Sequence, residues 1–274
     1  MSEYFKSNYA NVSSYFKENT VDMKYNVDIA FVVDATGSMG MENLIKIVKN
    51  MIPNFYKDAV KALEEKNKHV DVLRVKIVFF RDFLEYERDH CVPLMETDFY
   101  ILSDDCNDQS ALLLRSIDSI EAVGGGDIPE DGLEALALAM QSDWCKPIDN
   151  HKRRHIIVLF TDAPTHEIGY GKACELYPKN MPKNFDELIQ LWGTQERHPG
   201  TMEYQSKRLI MFVPELEYLP DDDGWKRIVK GRKDVNGKII ERPWENLDLI
   251  QINPNNMMNS VDFQRILNRI VNSV

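Results

Sequence analysis

The chain has 274 residues, of which 43% are hydrophobic, and this length and composition suit one α/β domain with insertions. Its formal net charge of −11 argues against a nucleic-acid partner, because such binding depends on neutralising phosphates with Lys and Arg. The four cysteines form no C-x-x-C pair, which argues against a zinc site. The N-terminus lacks a signal-peptide pattern, and the apolar runs are too short to span a membrane. These features predict a cytoplasmic protein with reduced thiols.

The first part of the chain predicts an N-terminal extension followed by a strand and a helix. Residues 1–26 are polar with scattered aromatics, and they suit a short packed helix or a mobile arm before a single domain over 27–274. Val27 to Val33 is a short, β-branched apolar run, which is typical of a buried strand. From Leu44 the apolar residues recur at helical spacing, and Pro53 should kink or split that helix.

Strand and helix patterns alternate along the rest of the chain. Pro93 confines a further strand, His90–Glu96, to a sheet edge. A polar insertion at about 163–205 should shape specificity near a site. The alternation predicts a doubly wound, Rossmann-like, mostly parallel sheet with one antiparallel edge strand and helices on both faces. The other predicted strands are Val72–Phe80, Ile156–Phe160, Leu209–Val213 and Asp248–Ile252. Two helices are predicted over Ser110–Ala122 and Asp221–Lys230, and a third contains Leu133 and Met140. Two more helices are predicted to begin at the N-caps Asn184 and Ser260.

Polar side chains follow the carboxyl ends of several predicted strands. Asp34 follows the first strand, Asp82 follows the second, and Asp162 follows the strand that ends at Phe160. A glycine-rich loop that carries Asp127 and Glu130 can reach the same edge. Ligands of doubly wound sheets bind outside the carboxyl ends of the strands, where the strand order reverses. This edge is therefore the predicted site.

The chemistry of the first loop favours a hard metal ion. Asp34, Thr36 and Ser38 alternate along an extended loop, so their side chains point to one side of it. Together with Asp162 they offer only oxygen donors, which suit Mg²⁺, Mn²⁺ or Ca²⁺. Each residue alone fits helix or turn capping equally well. Capping does not explain their convergence on one edge, so the pattern favours a metal site.

The segment Asp34-Ala35-Thr36-Gly37-Ser38-Met39 resembles the D-x-S/T-x-S metal-ion-dependent adhesion site of von Willebrand factor A domains. Segments 125–131 and 161–166 are similar to the second and third loops of that site, especially in A domains of intracellular bacterial proteins and those attached to alpha-kinases. The resemblance covers about residues 27–272 and is specific in these three motifs. It implies that a divalent cation, Mg²⁺ or else Mn²⁺ or Ca²⁺, is held by Asp34, Thr36, Ser38 and Asp162.

The second loop departs from the usual family pattern, which places a Thr after the glycines. The stretch Asp127-Ile128-Pro129-Glu130 is similar to the D-x-P-E loop of integrin β domains of the A-like type, where the Glu is a metal ligand. The resemblance thus implies Glu130 as a ligand, with Asp127 as the competing choice. It also implies a second cation, Ca²⁺, at Asp82, Asp127, Glu130 and the Pro129 carbonyl. We favour the alternative that Asp82 pairs with Arg81, Arg88 or another basic group and that Asp127 caps the following helix.

The resemblance implies a non-enzymatic module in which a protein partner supplies an Asp or Glu to the metal. That partner could be a separate kinase or another signalling protein. His166, close to Asp162 in the sequence, could line the rim that the partner contacts or hold a water near the metal, although a lone His in a loop is more often simply exposed. One alternative is a Mg²⁺-dependent phosphatase or phosphotransferase. Such enzymes carry D-x-D, and Thr36 replaces the second Asp, which would serve as acid and base. The other alternative is a structural scaffold without metal.

Overall fold

The computed structural model describes residues 24–41, 55–103, 107–125, 128–194, 200–252 and 263–274. Several predictions concern residues outside these ranges. They are the arm at 1–23, the effect of Pro53 on the first long helix, the role of Asp127 and the cap by Ser260.

One mixed sheet organises the described part of the chain. The strands are β1 Lys24–Asp34, β2 His69–Phe80, β3 Leu94–Glu96, β4 Tyr100–Leu102, β5 His151–Phe160, β6 Lys207–Pro214 and β9 Leu247–Ile252, with a separate hairpin of β7 Arg232–Lys233 and β8 Ile239–Glu241. The strands of the sheet run in the order β3-β2-β1-β5-β6-β9, and β4 also pairs with β2. All neighbours from β2 to β9 are parallel, whereas β3 and β4 are antiparallel to β2 and form the edge that follows Pro93.

Helices cover both faces of the sheet. They are α1 Gly37–Met41, α2 at 55–64, α3 Tyr86–Asp89, α4 Asn107–Asp118, α5 Gly132–Met140, α6 Phe185–Trp192, α7 Gly224–Lys230 and α8 Phe263–Ser273. Helices α2, α4 and α8 pack on one face, and α5, α6 and α7 pack on the other. The predicted doubly wound, mostly parallel sheet with an antiparallel edge is therefore confirmed. No described helix combines the length and the apolar character needed to cross a bilayer.

The central strand β1 is buried on both faces, which explains its continuous apolar sequence. Ile29, Phe31 and Val33 face the α2 side, and Ala30 and Val32 face the α5 side. This packing holds the end of β1 in a fixed position, because interiors are packed as densely as molecular crystals. The site at that end is therefore built on a rigid strand.

Two boundaries differ from the sequence prediction for physical reasons. Strand β1 begins at Lys24 rather than Val27, since Lys24 is already in register with both neighbouring strands. Helix α1 begins at Gly37, inside the stretch predicted as an extended loop and directly after the turn that Asp34 stabilises by accepting the Thr36 amide.

Candidate metal centre

The candidate site lies where the strand order reverses. From β1 the chain moves to β2 on one side, and it later returns to β5 on the other side of β1. Asp34 is the last residue of β1, and Asp162 comes two residues after the end of β5. The loops that follow these two parallel strands therefore meet at one edge of the sheet, as predicted.

Asp34 is a fully buried carboxylate whose two oxygens both accept hydrogen bonds. Its Oδ1 accepts the Thr36 amide at 2.9 Å and the Thr36 hydroxyl at 2.6 Å. Its Oδ2 accepts the hydroxyl of Thr161 at 2.7 Å. Asp34 thus fixes the direction of the Thr36 hydroxyl, and its oxygens point at donors of the protein itself.

The hydroxyls of Thr36 and Ser38 connect Asp34 to Asp162. The two Oγ atoms lie 3.2 Å apart, and Ser38 donates to Asp162 Oδ1 at 3.1 Å. A hydroxyl has one proton. With Thr36 donating to Asp34 and Ser38 donating to Asp162, lone pairs of the two hydroxyl oxygens are left facing each other. This arrangement suits a cation, and we call the four side chains the hydroxyl row.

The hydroxyl row runs from the interior to the solvent. Asp34 and Thr36 are buried, Asp162 is half-buried, and Ser38 is exposed. Burial, followed by the negative charge of Asp162, raises the pKa of Asp34 to about 6. A bound cation would oppose both effects, because it would neutralise the repulsion between the two carboxylates.

Glu130 lies beside Thr36, as the sequence analysis expected of the second loop. A Cβ atom placed on Gly125 would lie 2.9 Å from Glu130 Oε1 and 3.0 Å from Thr36 Cβ. Only a glycine lets these two side chains approach the same backbone, and Gly125 has a positive φ of +81°. Glu130 is thus brought to the hydroxyl row, while Asp127, its competitor, lies outside the described residues.

A short β-bridge holds the second and third loops together. Glu130 and Thr165 form this parallel bridge. The Glu130 amide donates to the Pro164 carbonyl at 3.0 Å, and the His166 amide donates to the Glu130 carbonyl at 2.9 Å. The first and second loops are joined in a similar way, because the Gly37 amide donates to the Gly124 carbonyl at 2.9 Å. All three loops are therefore held by backbone hydrogen bonds.

Asp82 belongs to a second cluster, which differs from the predicted calcium site. One ligand atom each of Asp82, Asp131 and His166 lies within 4.8 Å of the others, and all three residues are buried. The neighbouring Arg81 instead donates to three backbone carbonyls, and Arg88 forms an ion pair with Glu85.

His166 is buried in this second cluster. Its Nε2 lies 3.6 Å from Asp82 Oδ2, and its ring stacks on Tyr170 with centroids 3.7 Å apart. His166 was expected to line the partner rim, and the structure shows that the exposed ring at this position is that of Tyr170.

Three residues with evident roles were not singled out by sequence reasoning. Thr161 donates to Asp34, and Asp131 and Glu134 stand beside Asp82 and His166. Burial and the charge of Glu134 raise the pKa of Asp131 to about 8, and burial raises the pKa of Glu134 to about 7. The sequence signal was the Glu130-Asp131 pair itself, since neighbours in an extended segment point to opposite sides.

Comparisons with known proteins add little to this picture. No family model and no curated protein matches the sequence. Among solved structures, the chain is similar to the pilus adhesin SpaC from Lactobacillus rhamnosus GG, with 10% sequence identity and a TM-score of 0.44. The similarity covers 90% of this chain and 30% of the adhesin chain. The interpretation of the site therefore depends on its own residues.

Proposed function

We propose that this protein is a von Willebrand factor A-type module that binds a protein partner through a divalent cation. The observation that supports it best is the hydroxyl row at the strand-order reversal, in which Thr36 donates to Asp34, Ser38 donates to Asp162 and the two hydroxyl oxygens lie 3.2 Å apart. Helix or turn capping would satisfy each residue separately and would not join all four.

The donor set fits Mg²⁺ or Mn²⁺. Thr36 and Ser38 would contact the ion through their hydroxyl oxygens, since the protons of those hydroxyls are directed at carboxylates. Asp34 would hold the Thr36 hydroxyl in place by accepting its hydrogen bond. Asp162 and Glu130 would contribute negative charge, either directly or through water. When bound, the ion would offer an open position on the solvent side to a carboxylate of the partner.

The edge of the sheet that carries the row also exposes large apolar side chains. Large apolar side chains are exposed on loops that follow β2, β5 and β6 and on the second loop, and Ile128 is 76% exposed and Tyr218 is 67% exposed. Apolar and aromatic side chains around a polar centre are typical of protein interfaces. We call this set the apolar rim, and its members are Leu84, Ile128, Tyr170 and Tyr218.

A thermal melt with and without Mg²⁺ or Mn²⁺ tests the metal site. Any ligand of the native state raises the melting temperature. We expect a rise with either ion in the wild type, no rise in Asp34→Ala, and a wild-type rise in Asp149→Ala, a control at an exposed carboxylate away from the row. No rise in the wild type, or an equal rise in Asp34→Ala, would refute the metal site.

The partner is tested by affinity capture with Mg²⁺ and with a chelator. The proposal predicts a bound protein that is released by the chelator and is not retained by Asp34→Ala or by an Ile128→Ser, Tyr218→Ser double variant. A protein retained equally under all conditions would contradict it. Hydrolysis of a phosphate ester by the wild type but not by Asp34→Ala would instead favour the phosphatase alternative.

A further inference from the structure

A buried group of acidic side chains and one imidazole lies behind the second loop. It consists of Asp82 after β2, Asp131 before α5, His166 in the third loop and Glu134 in the first turn of α5. Asp131 and Glu134 have no exposed surface, and Asp82 and His166 are almost fully buried. We call these four residues the inner cluster.

The Asp131 and Glu134 carboxylates of the inner cluster are each held in place through one oxygen. Asp131 Oδ2 accepts the Phe83 amide at 2.7 Å. Glu134 Oε1 accepts the Gly169 amide at 2.8 Å and the Tyr177 hydroxyl at 3.0 Å. Within the described part of the chain, the other oxygens, Asp131 Oδ1 and Glu134 Oε2, are buried and receive no hydrogen bond. Each of these carboxylates is thus fixed by one oxygen and has a second oxygen available to a ligand.

The carboxylates of the inner cluster repel one another. Asp131 feels the repulsion of both Glu134 and Asp82, and the attractive charge acting on Glu134 is that of His166. The guanidinium of Arg81 is directed at the carbonyls of Ala35, Val92 and Glu121. Buried carboxylates in excess of their counter-charges are costly, and they either take up protons or hold a cation.

We infer that Asp82, Asp131 and His166 form a second metal site, which binds a divalent first-row transition ion. The ligand atoms of the three residues all lie within 4.8 Å of one another, a span that one ion can bridge. One imidazole with two carboxylates suits Mn²⁺, Fe²⁺, Co²⁺ or Zn²⁺, whereas Mg²⁺ and Ca²⁺ prefer ligand sets made of oxygen alone. Glu134, in the first turn of α5, adds a further negative charge beside Asp131.

The inner cluster is separate from the hydroxyl row although both use the second loop. Glu130 lies against Gly125 and Thr36, whereas Asp131 contacts the Phe83 amide and Asp82. Glu130 pairs with Thr165 in the bridge, and Asp131 follows in a tight turn that leads into α5, so the two adjacent carboxylates diverge. The inference therefore stands independently of the proposed protein-binding function.

Titration with Co²⁺ in excess Mg²⁺ tests this inference, because the Mg²⁺ keeps the oxygen-only site filled. We expect visible absorption bands that saturate at one Co²⁺ per chain and disappear when Zn²⁺ is added. His166→Gln and Asp131→Asn should each lower the Co²⁺ affinity by roughly 100-fold or more. Asp34→Ala should keep the Co²⁺ bands and lose the Mg²⁺-dependent rise in melting temperature. Failure of the hydroxyl-row proposal can therefore be distinguished from failure of this inference.

A control variant excludes a second grouping of possible ligands among the described residues, Asp28, Cys145 and His155. His155→Gln should leave the Co²⁺ bands unchanged, and no thiolate-to-cobalt charge-transfer band should appear. Thermal melts show whether His166→Gln and Asp131→Asn are folded, and either variant alone suffices for the test. The inference is overturned if Co²⁺ gives no bands with the wild type, or if a folded His166→Gln or Asp131→Asn protein keeps wild-type affinity.

Discussion

The hydroxyl of Thr161 donates a 2.7 Å hydrogen bond to Asp34 Oδ2 and thereby joins the end of β5 to the end of β1. This bond satisfies an oxygen of a carboxylate that has no exposed surface. Together with the bonds from Thr36, it lowers the pKa of Asp34 against the stronger effect of burial. Thr161 therefore helps to keep Asp34 ionised and oriented toward the hydroxyl row.

Thr161→Val should destabilise the protein and weaken Mg²⁺ binding. The substitution preserves the shape of the side chain and leaves a buried carboxylate oxygen without a donor, which costs about 1–3 kcal/mol. Urea denaturation at neutral pH gives the stability, and the Mg²⁺-dependent rise in melting temperature gives the binding. Thr161→Ser, which keeps the hydroxyl, should behave nearly as the wild type. Equal losses in both variants would show that the hydrogen bond is unimportant.

Gly125→Ala should disturb the metal site beyond its effect on the backbone. A Cβ at Gly125 would lie 2.9 Å from Glu130 Oε1 and 3.0 Å from Thr36 Cβ, so both side chains would have to move. Gly237→Ala is a matched control, because Gly237 has nearly the same φ, +80° against +81°, and nothing within 4 Å of its Cβ position.

Both alanine variants should lose about 1–2 kcal/mol from left-handed backbone strain. The Gly125 variant alone should lose the Mg²⁺-dependent rise in melting temperature. If that rise persists in Gly125→Ala, the close approach of Glu130 to the hydroxyl row does not matter for the metal.

His155 should make the folded state sensitive to acid. It is 2% exposed, and burial lowers its pKa to about 4, so the unfolded chain binds this proton more readily than the folded one. The contribution of His155 to the free energy of unfolding should therefore fall by about 3 kcal/mol as the pH decreases from about 6.5 to 4. Asp34 and Glu134, whose pKa values are raised to about 6 and about 7, contribute in the opposite direction, so the test compares two proteins. The free energy of unfolding of the wild type minus that of His155→Gln should fall by that amount over this pH range. His69→Gln, at an exposed position on β2, should retain the wild-type slope.

Asp223→Ala should affect both stability and metal binding. Asp223 caps α7 by accepting the amides of Trp225 and Lys226, and its other oxygen accepts the Thr165 amide at 2.8 Å. The variant should lose about 2–3 kcal/mol, because a buried amide of the third loop loses its acceptor as well.

Asn184→Ala provides the comparison for Asp223→Ala. Asn184 caps α6 by accepting the Glu187 amide, so the amide that it holds belongs to a helix and not to the third loop. The variant should lose about 1 kcal/mol and keep the wild-type response to Mg²⁺. If the response is also unchanged in Asp223→Ala, the anchor at Thr165 is not needed to position Asp162.

The hydroxyl row could be predicted from the sequence because its determinants are local. Asp34 ends an apolar run of strand length, and Thr36 and Ser38 follow within four residues. The predicted extended loop is wrong, because Ser38 lies in α1, but the tight turn from β1 into α1 still brings the three side chains together. Asp162 was found in the same way, at the end of another buried strand. The general rule for strand order in doubly wound sheets then brings the two loops together.

The inner cluster could not be predicted because it depends on contacts between distant segments. Asp82, Asp131 and His166 meet only because the bridge between Glu130 and Thr165 sets the register of two loops. No local pattern specifies such a bridge. The sequence analysis therefore grouped Asp82 with Asp127 and Glu130 by resemblance alone.

The role of the insertion at about 163–205 also could not be predicted in detail from the sequence. Its first part lies at the site, where His166 stacks on Tyr170. Its second part packs under the sheet, where Trp192 is buried and stacks on Trp244. Both parts are rich in aromatics, and composition alone does not tell core residues from site residues.

Glu130 and Asp131 are separated by one peptide bond, yet one faces the hydroxyl row and the other faces the inner cluster. The direction of each is set by the backbone at this doublet, where Glu130 pairs with Thr165 and Asp131 turns the chain into α5. A single-residue deletion or insertion just before the doublet would shift both carboxylates relative to the bridge and disrupt both groupings at once. The second loop should therefore tolerate many changes of residue type but almost no change of length, and the spacing of Pro129, Glu130 and Asp131 is the feature by which chains with the same pair of sites can be recognised.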